Sequence, residues 1–265
     1  MNLPGIATLS RGQGDTAVFL LHGVGGGKDA WPHAMDALAA AGYRAIAWDM
    51  PGYGESALIE PYDNAGLAAA CARMIEAAGA RVNVVLGHSM GGMVAQELVA
   101  TRPDLVHGLI LSGTSPAFGK PGGDWQRQFL ASRFAPLDAG RGMAGLAPEL
   151  VAGMVGPQAD RAGVALAAAV MARVPEATYR AALSAIVSFD RRAGLPAIAV
   201  PTLCLAGEHD RNAMPEVMEK MAARIPGARY LCFTGIGHLA NLEAPAAFNA
   251  AVLEFLTTRF PPRET

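Results

Sequence analysis

The segment Gly87-His88-Ser89-Met90-Gly91 constrains the fold of this chain more than any other feature, because it sets a serine between two glycines. It directly follows the apolar residues 82–86, and residues 91–101 continue with apolar side chains at helical spacing. A strand that turns abruptly into a helix is strained at the turn and tolerates only small residues beside it. We therefore predict a buried strand, a sharp turn with Ser89 at its apex, and a helix whose first N–H groups face the Ser89 hydroxyl.

Two polar groups that could assist Ser89 follow predicted strands far downstream. Asp210 comes just after the apolar run at residues 202–206, and His238 follows a second run at residues 229–233. The carboxyl ends of parallel strands meet at one edge of a sheet, so the three side chains can converge there. A serine hydroxyl is a weak nucleophile that needs a base, and the base needs a carboxylate to orient it. Asp210 and His238 are the candidates for these two tasks.

Four motifs in this order make the chain similar to the α/β-hydrolase family over nearly its whole length. They are the loop His22-Gly23-Val24-Gly25-Gly26, the turn Asp49-Met50-Pro51-Gly52-Tyr53-Gly54-Glu55-Ser56, the serine turn, and, counted together as the fourth, the pair of loops that carry Asp210 and His238. The resemblance implies an α/β fold with a mostly parallel sheet of the eight-stranded type. It also implies that Ser89 is the nucleophile, Asp210 the acid and His238 the base, with the backbone N–H groups of Val24 and Met90 as the oxyanion hole.

Several other polar residues near these motifs receive structural interpretations. His22 is expected to shape its turn by hydrogen bonding, and His88 is expected to point away from the site on the tight turn. Asp49 belongs to a turn that is structural in the family. Glu208, two positions before Asp210 in the same turn, stays open as an alternative acid.

The order of elements predicts how the chain is organised. Strand and helix patterns alternate over residues 17–112, whereas residues 116–195 contain no strand-like run and show helical spacing at 125–134, 163–174 and 176–189. Strand character resumes at residue 197. We therefore predict a hydrolase core in two parts, residues 1–115 and 196–265, with a helical cap at 116–195 inserted after the sixth strand.

The predicted cap should roof a pocket whose floor is formed by the three candidate residues. Its candidate lining side chains are large and apolar: Phe118, Trp125, Phe129, Phe134, Met143, Met154 and Met171. Four arginines could bind a substrate carboxylate, and the sequence does not choose among them: Arg127, Arg133, Arg173 and Arg180.

Composition excludes several other function classes. The formal net charge is -2 and the sequence has no basic run, which argues against a nucleic-acid partner. No apolar stretch approaches the ~20 residues that span a bilayer, and the first residues lack a leader pattern. These absences, together with the odd number of cysteines, three, favour a cytoplasmic protein. No metal or organic cofactor is implied, and both a monomer and a homodimer remain open.

The nature of the nucleophile narrows the expected reaction. The family's haloalkane dehalogenases and epoxide hydrolases need a carboxylate where this chain has Ser89. Its carbon–carbon bond hydrolases usually carry asparagine where this chain has His88. The resemblance to small bacterial esterases and, loosely, to 3-oxoadipate enol-lactonases predicts hydrolysis of small esters or lactones through an acyl-serine. The alternatives are carbon–carbon hydrolysis of vinylogous diketones and a non-catalytic ligand receptor on the same fold.

Overall fold

The computed structural model describes residues 5–119 and 123–262 of the 265-residue chain. Residues 1–4, which entered the prediction of localisation, and residues 120–122 of the predicted cap lie outside the described residues. Within the described ranges seven strands form one sheet: β1 Thr8–Arg11, β2 Thr16–Leu21, β3 Arg44–Trp48, β4 Val82–His88, β5 Gly108–Ser112, β6 Thr202–Gly207 and β7 Arg229–Phe233. The α-helices of these ranges are α1 Pro32–Ala40, α2 Asn64–Ala78, α3 Met90–Thr101, α4 Asp124–Asp138, α5 Gly142–Ala152, α6 Arg161–Met171, α7 Glu176–Val187, α8 Pro215–Arg224, α9 Ala240–Glu243 and α10 Pro245–Arg259.

The sheet is parallel apart from one edge strand. Its order is β1-β3-β2-β4-β5-β6-β7, and only β1 runs antiparallel to its neighbour. The α/β-hydrolase architecture is confirmed, although the described sheet has seven strands instead of the eight predicted. Among the described residues one antiparallel strand, β1, precedes the parallel core, so the strand before the long helical segment is the fifth described strand and not the sixth.

The alternation of side chains along the strands builds two cores. One set of strand residues packs with α2, α3 and α8, and the opposite set packs with α1 and α10. In β4, for example, Val85 belongs to the first core, and Val84 and Leu86 belong to the second. All of β2 is buried, as expected for a central parallel strand covered by helices on both faces.

Helices α4 to α7 lie between β5 and β6 in the sequence. The three helices predicted in this segment correspond to α4, α6 and α7, whereas α5 was not predicted separately. Strand character was expected from residue 197, but β6 begins at Thr202. Pro201 precedes the strand because it has no N–H to donate, although its carbonyl accepts a hydrogen bond of 3.0 Å from Leu109.

Two further observations concern the cysteines and the length of the helices. Cys204 and Cys232 lie on the neighbouring strands β6 and β7, and both are free thiols. Over residues 5–119 and 123–262, no helix combines the length and apolar character needed to cross a bilayer.

Candidate active site

Ser89 occupies a strained turn between β4 and α3. Its backbone has φ 52° and ψ −120°, and it is the one described residue other than glycine with a positive φ. A Cβ on Gly87 would collide with the Gly91 carbonyl, and a Cβ on Gly91 would collide with the Leu21 carbonyl. The two glycines are therefore required by the close approach of backbone segments, as the sequence pattern predicted.

The structure brings His238 and Asp210 together at the same edge of the sheet. His238 Nδ1 lies 2.7 Å from Asp210 Oδ2, and both side chains are buried. The other oxygen of Asp210 accepts hydrogen bonds from the N–H groups of Asn212 and Ala213, at 2.8 and 2.9 Å. Burial alone would raise the pKa of Asp210, but the adjacent His238 and these hydrogen bonds outweigh it and hold the pKa below its ordinary value. Asp210 is therefore ionised at neutral pH.

The other two carboxylates considered from the sequence face elsewhere. Glu208 accepts a hydrogen bond of 2.7 Å from the N–H of Gly235, and half of its side chain is exposed. Asp49 accepts hydrogen bonds from the backbone and ammonium groups of Lys28, at 2.9 and 2.6 Å. The carboxylate that contacts His238 is therefore Asp210.

Ser89 and His238 line the same cavity, but the hydrogen bond between them is not formed in this state. Among the described residues the Ser89 hydroxyl has no hydrogen-bond partner. Contacts of this kind are often long before substrate binds. The predicted Ser89–His238 bond thus stays a prediction.

Two backbone N–H groups beside Ser89 are available as hydrogen-bond donors. Within the described ranges, neither the N–H of Val24 nor that of Met90 donates to a protein acceptor. Val24 lines the same cavity as Ser89, and Met90 is the first residue of α3, where a helix leaves its N–H groups unpaired. Gly23 brings the Val24 loop close, because a Cβ on Gly23 would lie 2.7 Å from Ser89 Cβ and 3.2 Å from its Oγ. This arrangement can receive a negatively charged oxygen next to Ser89.

His22 is buried and joins this loop to the turn after β3. Its Nε2 accepts a hydrogen bond of 2.9 Å from the N–H of Met50, so its Nδ1 carries the proton and donates to the Gly23 carbonyl at 2.8 Å. Burial lowers the pKa of His22 to about 4, which keeps the ring neutral. The structural interpretation of His22 agrees with these contacts.

The orientation expected for His88 is wrong. Its ring centroid lies 4.8 Å from that of His238, so the side chain packs against the candidate base instead of pointing away. His88 is the last residue of β4, and its side chain is buried. Burial and the neighbouring His238 lower the pKa of His88 to about 3. The ring is therefore neutral.

A cavity of about 460 Å³ opens above Ser89 and His238. Of the side chains predicted to line it, five do so: Phe118, Trp125, Phe129, Met154 and Met171. Phe134 instead lies 4.9 Å from the Arg180 guanidinium, and Met143 is buried in the core. Three lining residues of α7 escaped the sequence analysis: Tyr179, Leu183 and Ile186. Their helical spacing fits packing as well as pocket lining, so only the fold distinguishes the two.

Glu243 is a second feature that sequence reasoning missed. This buried carboxylate accepts hydrogen bonds from Gly237 at 2.8 Å and Leu239 at 2.7 Å, the residues on either side of His238. It also accepts one from Gly156 at 2.7 Å, in the segment after α5. Glu243 therefore fixes the His238 loop and ties it to the helical segment. A single glutamate in a four-residue helix gives no pattern that could have indicated this.

A metal site would need several His, Cys, Asp or Glu side chains close together. Within residues 5–119 and 123–262, no three His, Cys, Asp or Glu side chains come together in a group that could hold a metal ion.

Comparison with known proteins places this geometry in context. Residues 18–251 match the profile described as the "Alpha/beta hydrolase family". The chain is 31% identical over 97% of its length to the polyketide synthase ThaQ of Burkholderia thailandensis, but it spans only 12% of that protein. It is 30% identical to the Mycobacterium tuberculosis protein BpoC, which carries a non-heme bromoperoxidase name, over 93% of this chain and 95% of the other. The structure is similar to the enol-lactonase of Burkholderia xenovorans LB400, with a TM-score of 0.84, 25% identity, and coverage of 95% of this chain and 96% of that one.

Proposed function

The chain belongs to the α/β-hydrolase family, and we propose that it is a serine hydrolase that cleaves small carboxylic esters or lactones. The observation that carries the proposal is the position of Ser89. It is strained at the floor of a cavity that it shares with His238, and beside it lie two N–H groups that find no acceptor within residues 5–119 and 123–262. A cavity of about 460 Å³ suits a small organic substrate. The likeness to an enol-lactonase, named for a cyclic ester, supports the same reaction class.

The proposed mechanism starts with the tautomer of His238. Because Nδ1 faces the ionised Asp210 at 2.7 Å, this nitrogen carries the proton and Nε2 is free to accept one. As Ser89 Oγ attacks the carbonyl carbon, its proton moves to Nε2, and Asp210 stabilises the resulting imidazolium. The carbonyl oxygen becomes an oxyanion, which the N–H groups of Val24 and Met90 stabilise.

Collapse of the oxyanion breaks the ester bond and leaves an acyl-Ser89. The imidazolium gives its proton to the leaving alkoxide, so His238 returns to its neutral form. A water molecule then attacks the acyl carbon while His238 accepts one of its protons. The second oxyanion then collapses and breaks the bond between the acyl carbon and Ser89 Oγ, and the imidazolium of His238 returns its proton to that oxygen. The carboxylic acid is released, and the Ser89 hydroxyl and the neutral His238 are restored.

The decisive experiment compares covalent labelling with turnover. A fluorophosphonate should label the wild-type protein at Ser89 and should not label Ser89→Ala, with circular dichroism as the control for folding. Short-chain aryl esters and small lactones should be cleaved, whereas vinylogous diketones should not. Fast diketone cleavage without ester cleavage would instead identify a carbon–carbon hydrolase. Binding of these compounds with neither labelling nor turnover would identify a ligand receptor.

A further inference from the structure

The positively charged side chain of Arg133 lies beside an aromatic cluster in the wall of the cavity above Ser89. Phe118 packs against Trp125 and Phe129, with ring centroids 5.0 and 4.9 Å apart, and all three line the cavity. The guanidinium carbon of Arg133 lies 5.4 Å from the centre of the Phe129 ring. Arg133 is half-buried and also lines the cavity. Contact with a ring face orients a guanidinium while its N–H donors stay available.

Arg133 differs from the other three arginines that the sequence offered as anion-binding residues. Each of those is paired with carboxylates at the protein surface: Arg127 with Asp124, Arg173 with Asp29 at 3.0 Å, and Arg180 with Asp138 and Glu176 at 2.6 and 2.7 Å. Arg133 has no carboxylate partner in the described part of the chain. The structure thus selects Arg133 from the four candidates.

The remaining lining gives the cavity a positive character. No aspartate or glutamate is found among the described residues that line it, and the buried Asp210 is not part of the lining. Arg211 adds a second positive charge, but it is exposed, so water screens it. A negatively charged ligand group in this cavity would therefore meet Arg133 without competition from an internal carboxylate.

We infer that the substrate carries a carboxylate remote from the bond that Ser89 attacks, and that Arg133 binds this carboxylate. The aromatic cluster of Phe118, Trp125 and Phe129 contacts the apolar carbons of the same molecule. This inference rests on the proposed ester or lactone hydrolysis. A guanidinium presents paired N–H groups that match the two oxygens of a carboxylate. A phosphate would bring more than one negative charge to a single half-buried cation, so the carboxylate is the better match.

The first test compares two esters with the same number of carbons, mono-p-nitrophenyl adipate and p-nitrophenyl hexanoate. In the wild-type protein kcat/KM should be higher for the adipate monoester. Arg133→Gln should lower the adipate-to-hexanoate ratio on the order of tenfold to a hundredfold, since a hydrogen-bonded charge pair is lost. Arg127→Gln, on the same helix but already paired at the surface, is the matched control and should keep the wild-type ratio. An unchanged ratio in Arg133→Gln would overturn the inference.

The second test measures binding separately from catalysis. Calorimetry on Ser89→Ala should show roughly tenfold or greater preference for mono-p-nitrophenyl adipate over p-nitrophenyl hexanoate, and adding Arg133→Gln should abolish it. Equal binding of the two probes would overturn the inference even if the wild-type protein cleaves both esters. Selective binding of the adipate monoester by a protein that cleaves neither ester would keep the carboxylate site and would overturn the proposed hydrolysis. Thermal unfolding of each variant checks that it is folded.

Discussion

The backbone N–H of His238 donates a hydrogen bond of 2.7 Å to the carbonyl of Met154, so the proposed base is fastened to the segment that follows α5. Met154 also lines the cavity. A Cβ on Gly237 would collide with the same carbonyl, which explains why glycine precedes His238. The loop that carries the base and the helical segment above the cavity are therefore one hydrogen-bonded unit. A change in one should displace the other.

Glu243 provides a test of this connection. Glu243→Gln replaces one acceptor oxygen with an NH₂ group that must face a backbone N–H donor. We expect a loss on the order of 1–3 kcal/mol in the free energy of unfolding, measured in urea, together with a lower kcat. Glu254→Gln, at an exposed position paired with Arg229, is the control and should change neither quantity. Unchanged stability and kcat in Glu243→Gln would mean that the carboxylate does not hold the loop.

Asp210→Asn tests the choice of acid. The amide would keep the size of the side chain but would no longer favour the Nδ1–H tautomer of His238, so kcat for aryl ester hydrolysis should fall on the order of 10⁴-fold. Glu208→Gln, in the same turn, should have a small effect, because Glu208 bonds to Gly235 and not to His238. Equal losses in the two variants would contradict the assignment of the acid to Asp210.

Gly23→Ala tests the close approach of the Val24 loop to Ser89. Its Cβ would lie 2.7 Å from Ser89 Cβ, so either the loop or the nucleophile must move. Loss of one oxyanion donor costs on the order of a hundredfold to a thousandfold in kcat, and we expect a loss in that range for ester hydrolysis. Gly145→Ala is the matched control, because nothing lies within 4 Å of a Cβ there. That variant should keep full activity, and near-normal kcat in Gly23→Ala would refute the proposed geometry.

The sequence predicted the elements whose side chains follow a clear periodic pattern and missed an element that is too short to show one. The strand before Ser89 and the helix after it were predictable because side-chain periodicity and turn glycines reflect local backbone geometry. The four-residue strand Thr8–Arg11 was not, since it is too short to show an alternation and is specified by pairing with Arg44–Trp48. Its neighbour in the sheet, not its own pattern, determines its structure.

Some features of the candidate site were likewise predictable from the sequence, and others were not. The proximity of Asp210 to His238 followed from strand order, because parallel strands end at a common edge. The contact between the His88 and His238 rings did not, since a side-chain rotamer at a tight turn depends on which neighbours fill the space. Nor could the sequence select Arg133, because its distinction is the lack of a carboxylate partner within the described residues. Whether an arginine has a carboxylate partner can be determined only from the positions of the neighbouring side chains.

The last prediction concerns stability in mild acid. Burial lowers the pKa of His22 from 6.5 to about 4, and burial with the nearby His238 lowers that of His88 from 6.5 to about 3. Between pH 6.5 and these lowered pKa values, both histidines are protonated in the unfolded chain but neutral in the folded protein. The free energy of unfolding must therefore fall as the pH drops below 6.5. Each histidine should contribute roughly 1 kcal/mol per pH unit. The lowered pKa of Asp210 changes the stability only near and below pH 3.8, the ordinary pKa of an aspartate, so it does not affect the slope above about pH 5.

Urea unfolding at several pH values between about 7.5 and about 5 measures this slope. His88→Gln removes one of the two buried groups, so its free energy of unfolding should depend on pH about half as steeply as that of the wild-type protein. His33→Gln, at an exposed position, should leave the slope unchanged. An equal slope in His88→Gln and the wild-type protein would mean that the pKa of His88 is not lowered in the folded state, so that the ring takes up a proton below its ordinary pKa of 6.5. The ring would then carry a positive charge 4.8 Å from the centre of the His238 ring, where it would oppose the imidazolium that the proposed mechanism requires.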